Sequence, residues 1–349
     1  MSKIFLLLFL LPLILTNSHI PDKNYRGWSR TFLEMFRAAA DLPKKKIAVA
    51  CPDEHSMLES VSFAHRIKLA ELILIGDEEN MKKLAKFYKY DISGMKIIDI
   101  KDRYLASLTA AKMVHDGECD ILMRGYVPVS DFVRVLHDEK YGLVKKDKKL
   151  TYIIMAEIEG IDQLLFLSDG EIITKPTLED KVQIIENAVE MANIFRVRNP
   201  RVAALASVEY VNPEMQATVD AAELKKMNEE GKIKNCLIEG PIGMDMAISL
   251  DAVADKGMWN SKIRGDADIL IFPDFEAVNM SWRLVRYIKR HMAAMLLGGT
   301  TKPVIMTGRG DDLYTKLNSI AMAKWMDEYL KVGEKWTDNF MYYKESQKE

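Results

Sequence analysis

From Lys46 onward the sequence alternates between short aliphatic runs and longer segments with apolar residues at helical spacing. The strand candidates are 47–51, 72–75, 96–100, 120–123, 152–158, 164–167, 202–207, 236–239, 267–272, 294–297 and 303–306. Most are continuous apolar runs rather than alternating ones, the pattern of strands covered on both faces. Asp77 is placed to cap a helix over 78–88. Thr177 precedes a helix over 178–195 whose Val182, Ile185, Ala188, Val189 and Ala192 share one face. A further helical run follows Asp311 through Leu317, Ile320, Ala321 and Trp325. Repeated strand–helix units predict an α/β protein with largely parallel sheets. At 349 residues, the chain has the length of about two domains.

Composition narrows the function. The 49 basic and 51 acidic side chains leave a formal net charge of -2, which argues against a dedicated nucleic-acid binder. Cys51, Cys119 and Cys236 are far apart, lack metal-ligand spacing, and read as reduced, mostly buried thiols. The charged run 145–149 (KKDKK) reads as a solvated connection. One segment departs from this soluble pattern: residues 4–15 (IFLLLFLLPLIL) are apolar throughout. A bilayer span needs about 20 residues. The segment has the length of a signal core, but no small-x-small cleavage pattern follows it. An export signal, a weak membrane tether and a start codon placed too far upstream all remain open.

In a parallel α/β fold, ligands gather beyond the carboxyl ends of strands. Arg124-Gly125 follows one strand, and Thr307-Gly308-Arg309-Gly310-Asp311 follows another. Glycine permits close backbone approach, and arginine offers a planar donor fork, so both places suit an anion. The alternative is that the glycines serve tight turns and the arginines pair with surface acids. The sequence has no P-loop, no glycine fingerprint after the first strand, no GxSxG elbow and no HExxH pair. Its histidines do not cluster.

Several segments then stand in a specific order. They are 203–224 (AALASVEYVNPEMQATVDAAEL), Gly231 with Ile233-Lys234, Gly240-Pro241 with Asp245, and 265–270 (GDADIL). Pro273 with Glu276-Ala277 and Asn279 follows, then Gly308-Arg309-Gly310-Asp311 with 316–321 (KLNSIA). The ordered set resembles the phosphate acetyltransferase and phosphate butyryltransferase family, as a divergent member nearer its butyryl branch. The resemblance implies two α/β domains with a cleft between them, in an isocitrate/isopropylmalate dehydrogenase-like fold. Residues 28–158 with 299–349 would form a discontinuous first domain and 159–298 the second, with 1–27 an N-terminal extension. Residues 28–40 read as an amphipathic first helix of the enzyme.

The resemblance also implies the reaction. A short acyl group, butyryl favoured over acetyl, passes reversibly between CoA and inorganic phosphate in a ternary complex. Acyl-CoA, phosphate and acyl phosphate are the partners. No tightly bound cofactor and no metal are expected, and neither is a nucleic-acid or membrane partner. A cytoplasmic homo-oligomer is expected. Such chemistry needs cations for phosphate, donors for a tetrahedral oxyanion, and an acid/base group near sulfur. By position, Arg309 matches the family's phosphate-contacting arginine and Arg134 a second family arginine. Arg124 stands where the butyryl branch has lysine. Asn279 and Glu276 line the cleft in the family pattern, with Gly125, Thr307, Gly308 and Gly310 beside the substrates.

Three positions depart from that pattern. Gly308 replaces the serine that precedes the arginine; Thr307 or the Gly310 amide is placed to compensate. Val278 stands where close approach favours glycine. Thr315 occupies the position of the acetyl branch's aspartate, leaving Asp311 as the nearest acid/base candidate, with a helix cap as its other reading. These departures leave open a catalytically degenerate CoA- or phosphate-binding member. A decarboxylating dehydrogenase on the same fold lacks support, because no aspartates cluster to bind Mg²⁺.

Overall fold

The computed structural model describes residues 31–333. The apolar segment 4–15 and residues 28–30 of the expected first helix lie outside the described residues. Helix α1 (Phe32–Asp41) opens at Thr31, whose hydroxyl accepts the Glu34 amide at 3.3 Å. Its Phe32, Met35, Phe36 and Ala39 are buried, so this helix is part of the folded body.

Four strands follow: β1 (Lys46–Ala50), β2 (Glu71–Gly76), β3 (Lys96–Asp99) and β4 (Ile121–Arg124). They alternate with α2 (His55–Arg66), α3 (Glu78–Tyr88) and α4 (Arg103–His115), and α5 (Val129–Leu136) follows β4. Next come β5 (Thr151–Ile158), β6 (Leu165–Ser168), α6 (Leu178–Ile194), β7 (Arg201–Leu205), α7 (Gln216–Glu229) and β8 (Leu237–Ile242). Two short helices, α8 (Met244–Ile248) and α9 (Leu250–Asp255), lead to β9 (Ile269–Ile271) and α10 (Phe275–Ile288). The described residues close with β10 (His291–Gly298), β11 (Val304–Met306) and α11 (Leu313–Val332).

The caps follow the sequence. Asp77 accepts from the Asn80 amide, and Thr177 forms a reciprocal capping box with Asp180. Asp311, whose alternative reading was a cap, is not one. Asp312 caps α11 instead, accepting the Thr315 amide at 2.7 Å, and Asp311 turns inward. The lysine-rich connection is also not simply solvated. Lys145, Lys148 and Lys149 pair with Glu190, Glu186 and Asp180 of α6.

The eleven strands among the described residues join one sheet, in the order β3-β2-β1-β4-β11-β10-β5-β6-β9-β7-β8. Strands β1 to β4 and β11 are mutually parallel, and so are β6 to β9. The join between these sets is antiparallel: β10 opposes both β11 and β5, and β5 opposes β6. The expected largely parallel sheets are therefore two halves of one mixed sheet, running in opposite directions. Helices and loops cover both faces, as the uninterrupted apolar runs require. Ile47 and Val49 belong to one buried cluster, and Ala48 and Ala50 to the other.

Register explains where a site forms. Met306 pairs with Arg124, Leu296 with both Ile305 and Ile153, and Ile154 with Leu167, which pairs with Leu270. The ends of β4 and β11 thus lie level with the ends of β6 and β9. At eight residues each, β5 and β10 outreach the four-residue β4. The carboxyl ends of the two parallel sets lie at neighbouring rows and point in opposite directions.

Candidate active site

Arg124 closes β4 and is half-buried. Its Nε and Nη2 donate to the Val127 carbonyl at 2.9 and 2.5 Å, and Nη1 donates to the Thr307 carbonyl at 3.4 Å. Burial pulls its pKa below the usual arginine value. The turn beyond it folds back over β1: Gly125 N donates to the Ala50 carbonyl and Tyr126 N to the Cys51 carbonyl. A Cβ at Gly125 would sit 2.3 Å from the Cys51 carbonyl oxygen, so the turn needs glycine.

The loop after β11 holds the other predicted residues. Asp311 is buried, and both its oxygens are engaged. Oδ2 accepts the Gly308 amide at 2.6 Å, and Oδ1 accepts from Arg286 Nη1 at 2.9 Å. Burial pushes its carboxyl pKa up, against the opposing effects of the Gly308 amide, Arg286 and Lys316. Lys316 Nζ donates to the Asp311 carbonyl and, at 3.2 Å, to Ser56 Oγ. Ser56 Oγ in turn lies 3.4 Å from the Arg309 carbonyl. Thr307 is 2% exposed, and its hydroxyl has no partner. Gly310 faces the Arg286 guanidinium, which a Cβ there would meet at 3.3 Å.

Arg309 itself is exposed. Its guanidinium lies 5.1 Å from the centre of the Tyr126 ring, and Nη1 donates to the Tyr126 hydroxyl at 3.4 Å. Arg103 covers the same ring at 4.1 Å, donates to the Tyr126 carbonyl and pairs with Asp53. Tyr126 is therefore held against two cations, each attracted to its ring.

Helix α10 presents three faces. Val278 and Trp282 are buried in the core, while Met280, Leu284, Tyr287 and Ile288 are exposed. Glu276, Asn279, Arg283 and Arg286 share a third face at helical spacing. Arg286 from that face reaches Asp311, and Arg283 acts electrostatically on Glu171. Val278, expected to crowd the ligand, is fully buried in the hydrophobic core and does not face the site.

The structure thus joins Arg124, Gly125, Thr307, Gly308, Arg309, Gly310 and Asp311 through direct contacts. It places Glu276, exposed, and Asn279, half-buried, on the helix that supplies Arg286. Arg134 stands apart from these contacts. It is exposed on α5, pairs with Asp131 at 3.5 Å and covers the Tyr104 ring at 4.1 Å. Sequence reasoning missed Arg283, Arg286, Lys316 and Tyr126. The two arginines were detectable, because they stand seven and ten residues beyond Glu276 on one helical face. Among the described residues, no three His, Cys, Asp or Glu side chains are grouped to hold a metal, and no helix is long and apolar enough to cross a membrane.

Arginine at neighbouring strand ends of an α/β sheet is an arrangement suited to an anion. The same fold occurs in a branched-chain phosphotransacylase from Enterococcus faecalis V583, with a TM-score of 0.69 and 24% identity, over 80% of this chain and 99% of that one. The EutD phosphotransacetylase from Staphylococcus aureus matches with a TM-score of 0.64 and 18% identity, over 86% of this chain and all of that one.

Sequence comparison carries the assignment further. The profile of the family described as phosphate acetyl/butaryl transferase matches residues 101–324. A phosphate butyryltransferase of Clostridium beijerinckii is 41% identical over 295 residues, covering 84% of this chain and 97% of that enzyme. A phosphate acetyltransferase of Thermotoga maritima is 37% identical over 293 residues, covering 84% of this chain and 98% of that enzyme. The chain belongs to the phosphate acetyl/butyryl transferase family.

Proposed function

We propose that this protein is an acyltransferase that moves a short acyl group, butyryl by preference, reversibly between CoA and inorganic phosphate. One observation carries the reading: Arg124 at the end of β4 donates to the Thr307 carbonyl at the end of β11, two residues before the exposed Arg309. Phosphate is a poor nucleophile toward a thioester until it is oriented and its charge is offset. Arg309, exposed and steadied by Tyr126, binds phosphate, and Arg124 offsets its charge from the strand end. The Thr307 hydroxyl and the Gly310 amide donate to the oxygen that becomes negative in the tetrahedral intermediate. Asp311 holds the loop in shape. Asn279 and Glu276 border the acyl-CoA, and Arg134 lies farther out along its path.

Acyl-CoA, phosphate and acyl phosphate enter as substrates, and the reaction as proposed uses no resident cofactor. CoA thioesters are intracellular, which favours a cytoplasmic protein. The exposed apolar residues Met280, Leu284, Tyr287 and Ile288 form a stripe on α10 suited to a second copy of the chain.

A thiol-release assay across acetyl-, propionyl- and butyryl-CoA with phosphate tests the reading. Release is expected with all three and fastest with butyryl-CoA. A folded protein that releases thiol from none of them overturns it.

A further inference from the structure

Arg309 is exposed on the loop 307–311, so the direction of its guanidinium depends on the backbone that carries it. Arg124 holds the Thr307 carbonyl at one end of that loop. Toward the other end the holder is Lys316. Its Nζ donates to the Asp311 carbonyl and, at 3.2 Å, to Ser56 Oγ. Ser56 Oγ lies 3.4 Å from the Arg309 carbonyl and 2.9 Å from Glu54 Oε2. One ammonium thus holds the loop backbone at Asp311 directly and at Arg309 through a single hydroxyl.

The far end of this link is firmly anchored. Ser56 stands in the first turn of α2, where the Glu54 carboxylate accepts the Ser56 and Met57 amides at 3.1 and 3.2 Å. Met57 and Leu58 of the same turn are buried in the core. Strands β1 and β11 pair with β4 from opposite sides, so α2 and the loop after β11 flank the strand that ends in Arg124. Lys316 bridges the two.

Stability does not explain a lysine at this place. The residue is 1% exposed, and burying an ammonium costs free energy that its hydrogen bonds must offset. It stands near the N-terminus of α11, where the helix amides disfavour a cation. Burial pulls its pKa below the usual lysine value, despite the attraction of Asp311, Glu54, Asp312 and Glu59. A methionine would fill a similar volume without these costs, but it would leave the Asp311 carbonyl and Ser56 without their donor.

We propose that Lys316 is a positioning residue, which acts through the Asp311 carbonyl and Ser56 to aim Arg309 at phosphate. The proposal rests on the acyl-transfer reading. Displacing a substrate-binding group by about 1 Å can cost about 10²-fold in rate, and the link from Lys316 limits such displacement.

The test is a double-mutant cycle between Lys316→Met and Arg309→Ala, with Ser56→Ala as a second variant that keeps the ammonium. Each protein is first shown to be folded by circular dichroism and thermal melting. Thiol release from butyryl-CoA is then followed as phosphate or butyryl-CoA is varied. Lys316→Met should lower kcat/KM for phosphate by about 10- to 100-fold and leave the butyryl-CoA KM within about threefold of wild type. Ser56→Ala should lower kcat/KM for phosphate about fivefold. In the Arg309→Ala background, Lys316→Met should change kcat/KM for phosphate by less than about threefold, because the group it aims is gone. A loss of the same size in both backgrounds, or a Lys316→Met enzyme with wild-type kcat/KM for phosphate, overturns the assignment and leaves the acyl-transfer reading standing. If Lys316→Met does not fold, Ser56→Ala takes its place in the cycle: a loss seen only with Arg309 present supports the assignment, and no loss or an equal loss overturns it. A folded but inactive wild type overturns both readings.

Discussion

Arg286 on α10 donates to Asp311 in the loop after β11 at 2.9 Å, and so ties the helix that follows β9 to the strand end that carries Arg309. The side chains are only 18% and 6% exposed. Removing one partner leaves a buried charge uncompensated, which costs about 3–5 kcal/mol in fully buried pairs. Because Arg286 keeps some exposure, Arg286→Met should cost about 3 kcal/mol in urea unfolding, with activity falling as well. The double variant Arg286→Met/Asp311→Asn should cost clearly less than Arg286→Met alone. A double cost equal to the sum of the two single costs would mean that the pair is not coupled.

Glycines 125 and 310 should respond differently to alanine. At Gly125 the new Cβ meets backbone, the Cys51 carbonyl at 2.3 Å and the Ala50 carbonyl at 2.4 Å. Backbone cannot step aside cheaply, so Gly125→Ala should lose about 3 kcal/mol and displace both Arg124 and Tyr126. At Gly310 the nearest atoms are the flexible end of Arg286. Gly310→Ala should unfold within about 1 kcal/mol of wild type. Thermal melting and activity measured together separate the two.

Val278 invites a repair that the structure advises against. Restoring the family's glycine would open a cavity beside Trp282 in the core cluster and place glycine inside α10. The combined cost is about 2–4 kcal/mol, with no gain in rate. A faster Val278→Gly enzyme would show that this side chain crowds the substrate after all.

Asp169 gives a pH prediction with a definite sign. Burial raises its pKa from 3.8 to about 6, despite four amides that favour the anion. The folded state therefore binds this proton more readily than the unfolded chain does. Its contribution to stability is present below about pH 4 and is lost as pH rises toward 6. Other carboxylates, such as Asp180 beside Lys149, shift the opposite way. The informative quantity is thus the stability of wild type minus that of Asp169→Asn, measured by urea unfolding from pH 4 to 7. It should fall as pH rises, and a rising difference would contradict the burial argument.

Much of this fold was legible because burial on both faces leaves a plain mark. Runs such as Ile47-Ala48-Val49-Ala50 contribute alternately to the two core clusters, so every residue had to be apolar. Caps at Asp77 and Thr177 were equally readable, because the chemistry is local. The antiparallel join through β5 and β10 was not, since hydropathy does not encode which way a neighbouring strand runs. Strand ends pointed to Arg124 and Arg309. Lys316 was overlooked because a buried lysine has meaning only once its surroundings are known. The serine-to-glycine change at Gly308 was visible in sequence, but its setting was not: the Gly308 amide is already committed to Asp311.

The central claim is that phosphate attacks a CoA thioester in a site built around Arg309. Thiol release from butyryl-CoA, measured with and without phosphate for wild type and Arg309→Ala, tests it most directly. The account predicts release only when phosphate is present. It also predicts a rate lower by about 10²–10³ in the variant, with melting unchanged because Arg309 is exposed. Release that ignores phosphate, or an Arg309→Ala enzyme as fast as wild type, would contradict it.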